Sequence, residues 1–145
     1  MFKHLLLPTD GTPLSESAVR KGIALARDHG ARVTGVHVSP QFRVLTYRTD
    51  MLEETRDEYE RDSRAHAERY LKFIADAARE QGVACQTLRE TSDDVSATLL
   101  EVARSRGCDL IAMASHGRRG LAGVLLGSET QRVLTHSSVP VLVWR

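Results

Sequence analysis

The 145-residue chain has little of what marks several protein classes. Its two cysteines, Cys85 and Cys108, are too few for a disulfide framework or a cysteine-rich metal cluster. Its six histidines, His4, His29, His37, His66, His116 and His136, form no His-x-x-x-His pair, so no protein zinc site is expected. Lys and Arg number 20 against 19 Asp and Glu, leaving a formal charge of +1. That balance lacks the basic stripe of a nucleic-acid binder and the excess of an acidic tail. No run approaches the ~18 consecutive apolar residues of a membrane helix. Residues 2–8 hold too short an apolar stretch for a secretory signal and no small-residue cleavage site. These absences predict a reduced, cytoplasmic protein with no nucleic-acid or membrane partner and no resident metal. At roughly 100–200 residues per domain, residues 1–145 make a single domain, large enough for one real core.

What is present is alternation. Short apolar runs, 4–7, 32–38, 83–89, 109–114 and 139–144, take turns with helix-period stretches. Thr12 before Pro13 predicts an N-cap with proline at the first helical position, and Gly30 predicts the end of that helix. Residues 39–50 have no period. Residues 51–81 form the longest helical stretch; its first half is so charged that it reads as a solvated, ion-paired face, with a break or fraying expected near Arg61-Asp62-Ser63. Asp93 and Asp94, with Thr91 and Ser92, offer caps for a helix ending at Gly107, and a last helix is placed at 128–135. The order β-α-β-α-β-α-β-α-β predicts an α/β fold: an open five-stranded parallel sheet with helices on both faces.

In such sheets ligands bind beyond the carboxyl ends of the strands, where strand order reverses. Three strand exits stand out: Pro8-Thr9-Asp10-Gly11, Val38-Ser39-Pro40 and Ala114-Ser115-His116-Gly117. The last continues through Arg118, Arg119, Gly120, Gly123 and Gly127 into a helix at Ser128. Glycines let amides approach an anion, a helix N-terminus offers unpaired N–H groups, and two arginines add charge, which together suggest a phosphate cradle. The competing explanation is local: the glycines are turn residues, and Ser128 with Gln131 forms a capping box for its own helix. Walker and dinucleotide fingerprints do not fit, since Gly127 is followed by Ser128-Glu129 and the first βα turn holds only Gly11.

Over essentially its whole length the chain resembles the universal stress protein family. The resemblance rests on Leu7-Pro8-Thr9-Asp10-Gly11, on Gly35-Val36-His37-Val38, and on residues 114–143. The ATP-binding members of that family carry Gly, two residues, Gly, nine residues, Gly, then Ser or Thr. Here Gly117, Gly127 and Ser128 match, and Ala114 stands at the first position. The resemblance implies an adenine nucleotide alpha hydrolase-like fold and an ATP site. Asp10 and the Val38 backbone would face adenine, and Pro8 and Thr9 would border the ribose. Ala114, His116 and Gly117 would line the ribose-phosphate path, while Gly127, Ser128 and the amides of Glu129 and Thr130 would hold phosphates. It also implies a homodimer paired through the C-terminal strand around Val141 and Val143. Separately, magnesium carried by the ATP phosphates would keep waters and need only one or two protein carboxylates, Asp10 being the first candidate.

Two other functions compete. A dimeric interaction module of the same fold, binding no nucleotide, draws on Ala114 and on the carboxylate of Glu129 beside the cradle. A hydrolase would arrange Asp10, His116 and Ser128 as a triad, although no Gly-x-Ser-x-Gly elbow is present. With no committed general base, at most slow ATP hydrolysis is expected. Cys85, Cys108 and Trp144 are expected to pack.

Overall fold

The computed structural model describes residues 1–42, 49–117 and 125–145. Five parallel strands, β1 (His4–Pro8), β2 (Arg32–Ser39), β3 (Cys85–Thr91), β4 (Leu110–Ala114) and β5 (Val141–Trp144), lie in the order β3-β2-β1-β4-β5. They alternate with helices α1 (Pro13–His29), α2 (Thr49–Glu80), α3 (Val95–Arg106) and α4 (Ser128–His136). The predicted architecture is the one observed. From β1 the chain works outward through β2 to β3, then crosses back to β4 and outward to β5, so strand order reverses between β1 and β4.

Side-chain alternation divides the core into two layers. Leu5 and Leu7 of β1 pack with Val19, Ile23, Val33, Ile74 and Ala112 beneath α1 and α2. Leu6, Val36, Ile111 and Met113 face the other way, onto Leu99 and Val102 of α3 and Val133 of α4. Leu5, Leu6 and Leu7 are all fully buried, as a central strand covered on both faces requires. At roughly 1.5–3 kcal/mol for each large aliphatic side chain, this triplet is a principal source of cohesion.

Three helices stop in the same way. The amides of Ala31, Val83 and Cys108 reach back to the carbonyls of Ala26, Ala78 and Ala103, each just after a glycine with φ between 64° and 69°. This is the Schellman closure, in which a buried apolar residue follows the glycine. It explains why β3 begins at Cys85 rather than at the predicted residue 83: Val83 is spent closing α2. The last strand is shortened by a turn. Ser137 Oγ donates to the Val139 carbonyl and accepts from the Val139 amide, so pairing starts after Pro140.

The expected break at residues 61–63 does not occur; α2 runs unbroken. Its polar half is tethered by polar contacts. Arg89 of β3 donates to Glu60 Oε1 and Ser63 Oγ, and Tyr59 Oη donates to the Pro40 carbonyl. Among the described residues no helix is long and apolar enough to cross a membrane.

Candidate site at the β1–β4 switch point

The exits of β1 and β4 converge. A methyl group added at Gly117 would land on Asp10 Oδ2, so the turn after β4 passes directly against the Asp10 carboxylate. Only glycine permits that approach. The third exit lies one strand away: Val38 is half-buried beside the α3 layer, and the Ser39 carbonyl accepts from the Ser92 amide.

The β1 exit is a compact set of local hydrogen bonds. Asp10 Oδ1 accepts from the Thr12 amide at 3.0 Å and the Thr12 hydroxyl at 2.6 Å. Thr12 in turn caps α1 by accepting from the Ser15 amide, as expected. Thr9 is buried; its hydroxyl accepts from the Gly11 amide and lies 3.2 Å from Ser15 Oγ. Pro8, half-buried, ends β1 opposite Val36. The Asp10 carboxylate therefore holds its loop with one oxygen and meets Gly117 with the other.

At the β4 exit the donors are shared out unevenly. The Gly127 amide donates to the Ser115 carbonyl at 2.7 Å, so this N–H is engaged within the turn. A methyl at Gly127 would sit 3.1 Å from His116 Cα, which makes close packing its evident role. Gly127 also occupies the N-cap of α4 with extended backbone (φ −68°, ψ 159°) and no side-chain cap. The capping-box expectation for Ser128 is thus corrected: Ser128 is the first helical residue, and Gln131 Nε2 donates instead to the Leu126 carbonyl. The amides of Ser128, Glu129 and Thr130 fall in the first turn, where no intrahelical acceptor exists.

Two side chains of that turn, Glu129 and Thr130, engage other elements. Thr130 is buried and donates its hydroxyl to the Ala114 carbonyl at 3.1 Å. Glu129 reaches across to α3, where Oε2 accepts from the Ser96 amide at 2.9 Å and Oε1 pairs with Arg132 at 2.9 Å. Its carboxylate thus serves the N-terminus of a neighbouring helix, beside the Asp94 cap. Sequence reasoning missed this tie, which spans 33 positions. It also missed Tyr70, whose ring lies on Gly11, and the bond from His37 Nδ1 to the Thr9 carbonyl at 2.8 Å. Arg118, Arg119, Gly120 and Gly123 lie outside the described residues.

Two of the three groups considered for a triad, His116 and Asp10, have other engagements. His116 Nδ1 lies 3.2 Å from Ser115 Oγ, and Asp10 Oδ1 is held by Thr12. Burial pushes the Cys85 thiol up and the Cys108 thiol up to about 11, as expected for packing cysteines rather than nucleophiles.

The sequence model of the universal stress protein family matches residues 1–145. Universal stress protein MJ0531 of Methanocaldococcus jannaschii is 31% identical over 144 residues, spanning 99% of this chain and 82% of that protein. The structure of the hypothetical protein MJ0577, also of M. jannaschii, superposes with a TM-score of 0.82 at 26% identity, covering 99% of this chain and 95% of its own. A universal stress protein solved in complex with cAMP has the same fold, with a TM-score of 0.73 at 22% identity over 99% and 97% of the two chains. The protein described here belongs to the universal stress protein family.

Proposed function

We propose that this protein binds ATP at the β1–β4 switch point and acts as a dimeric, nucleotide-responsive regulator in the cytoplasm. The observation that carries the proposal is the first turn of α4. Its N-cap residue supplies no side-chain cap, and among the described residues the carboxylate of Glu129 bonds the Ser96 amide, which supports reading the positive end of the helix as an anion site. The amides of Ser128, Glu129 and Thr130 would take phosphate oxygens. Pro8, Thr9 and Asp10 would border the nucleoside, with the Val38 backbone on the adenine side and Ala114, His116 and Gly117 along the ribose-phosphate path. When bound, ATP supplies a polyanion for these donors, and its magnesium would keep most of its waters.

Hydrolysis is slow at most. Among the described residues, three side chains beside the cradle already serve protein partners: Asp10 holds Thr12, Glu129 holds Ser96 and Arg132, and Thr130 holds the Ala114 carbonyl. None of these three is free to activate a water. The dimer would form along β5, an edge strand whose four residues are all half-buried and whose outer ladder would be covered by a second copy.

The alternative, an interaction module that binds no nucleotide, draws on the Gly127 amide, which donates to Ser115 inside the turn. Calorimetric titration of nucleotide-free protein with Mg-ATP separates the two. A saturable heat supports the ATP site; no heat and no thermal shift at millimolar ATP would leave the interaction module as the function.

A further inference from the structure

We propose that Tyr70 of α2, braced by His37, is a positioning residue for the Asp10 loop, so that α2 is coupled to occupancy of the switch-point site. The inference takes only the identity of the ligand from the function proposed above.

Asp10 is held from both sides. On one side the Thr9 carbonyl accepts a hydrogen bond from His37 Nδ1 at 2.8 Å, so that nitrogen carries a proton. On the other side the Tyr70 ring lies against Gly11: an added methyl would meet its Cε1 and Cζ and would sit 2.5 Å from Cδ1. Gly11 has a φ of +78°, so both the backbone shape and the ring contact demand glycine there. The two clamps touch each other, the His37 and Tyr70 rings meeting edge to face with centroids 5.1 Å apart at 75°.

Spacing on α2 explains how this clamp is anchored. His66, Tyr70 and Ile74 follow one another at four-residue intervals and share a helix face. Ile74 is fully buried and presses on Gly35 of β2, where an added methyl would be 2.8 Å from its Cγ2. One turn earlier Tyr70 covers Gly11 and His37, and one turn before that the exposed His66 ring stacks on Tyr70 at 6.1 Å and 10°. A single stripe therefore runs from the core, past the loop that presents Asp10, to solvent. Whatever moves Asp10 must move Gly11 against that ring, and coupling of this kind acts equally in both directions.

The Thr12 amide, which donates to Asp10 Oδ1, reports on the carboxylate directly. In the intact protein, Tyr70→Ala should speed hydrogen exchange at Thr12 without an equal change at Val19 and Ile23 inside α1. It should also weaken Mg-ATP binding about tenfold, a typical coupling. Tyr70→Phe, which keeps the ring atoms that touch Gly11, should restore both to within about twofold. Should Tyr70→Ala fold poorly, Tyr70→Leu replaces it. Unchanged Thr12 exchange, uniform acceleration throughout α1, or failure of the Phe variant to restore exchange would overturn the proposal. If the wild type gives no heat with ATP yet Tyr70→Ala still frees the Thr12 amide, the positioning role stands and the nucleotide reading falls.

Discussion

The two ends of the sheet are built from the same residue types to opposite effect. At the amino end, backbone and side-chain groups close on one another. Asp109 accepts from the amides of Lys3 and His4 at 2.9 and 3.0 Å, and its own amide donates to the His4 carbonyl. Two of the Schellman closures, at Gly30 and Gly107, also sit at this end. At the carboxyl end, glycines let other groups come close, and the Gly127 amide bonds the Ser115 carbonyl within its own turn. Gly117 admits Asp10, Gly11 admits Tyr70, and α4 begins without a side-chain cap. The difference teaches that the same residue types serve two ends: around Asp109 they bond backbone groups to one another, and at Gly117 and Gly11 they let a side chain come close.

The comparison can be broken by exchanging the two behaviours, and the largest effect is expected at the closed end. Asp109→Ala strands two amides that now bond a carboxylate. It should cost about 2–3 kcal/mol, given what bonds to charged acceptors contribute. Urea unfolding would show this loss, while Mg-ATP affinity should stay unchanged. A comparable loss of affinity would mean that the two ends are not independent.

Gly117→Ala makes the opposite change. Its methyl displaces the Asp10 carboxylate, so ATP affinity should fall about tenfold, equivalent to about 1.4 kcal/mol. Stability should fall by less than Asp109→Ala costs. Parallel titration and unfolding curves measure both, and an unaltered affinity would detach Gly117 from the site.

Much of this contrast was legible in the sequence. The strand–helix alternation, the Thr12 cap and the stops at Gly30 and Gly107 are local signals, written within a few residues of where they act. Asp10 and the glycines before α4 were visible for the same reason. What escaped notice acts across distance. Val83 looks like a strand residue until Ala78 claims its amide, and residues 61–63 look like a break until Arg89 reaches Ser63. Glu129 looked like a carboxylate beside the phosphates because Ser96, 33 positions earlier, is invisible to local pattern. Tyr70 read as a packing residue for the same cause, since Gly11 lies 59 positions before it.

A smaller effect sharpens the link between α3 and α4. Asp94→Ala removes the side chain that accepts from the Ala97 amide and should cost about 1 kcal/mol. Thermal unfolding tests it; because Glu129 still holds Ser96, the cradle should keep its ATP affinity.

The smallest expected effect is a pH dependence at the closed end. His4 is buried, with Nε2 2.7 Å from Thr34 Oγ1, and its Nδ1 has no partner among the described residues. Burial, aided by Arg32, lowers its pKa below the usual 6.5, against the opposing pull of Asp109. The unfolded chain therefore binds this proton more readily than the fold does. His4 should cost stability as pH falls through about 6.5 and cost nothing above it. Comparing the urea midpoints of wild type and His4→Gln at pH 8 and pH 5.5 isolates the contribution. An equal fall in both would assign the acid sensitivity elsewhere.

The most direct test of the central claim is an amide-resolved NMR titration of nucleotide-free protein with Mg-ATP. The account predicts shifts concentrated at Thr9 to Thr12 and at Ser128 to Thr130, with Lys3, His4 and Asp109 unmoved. Saturable shifts confined to the amino end, or none anywhere at millimolar nucleotide, would contradict it.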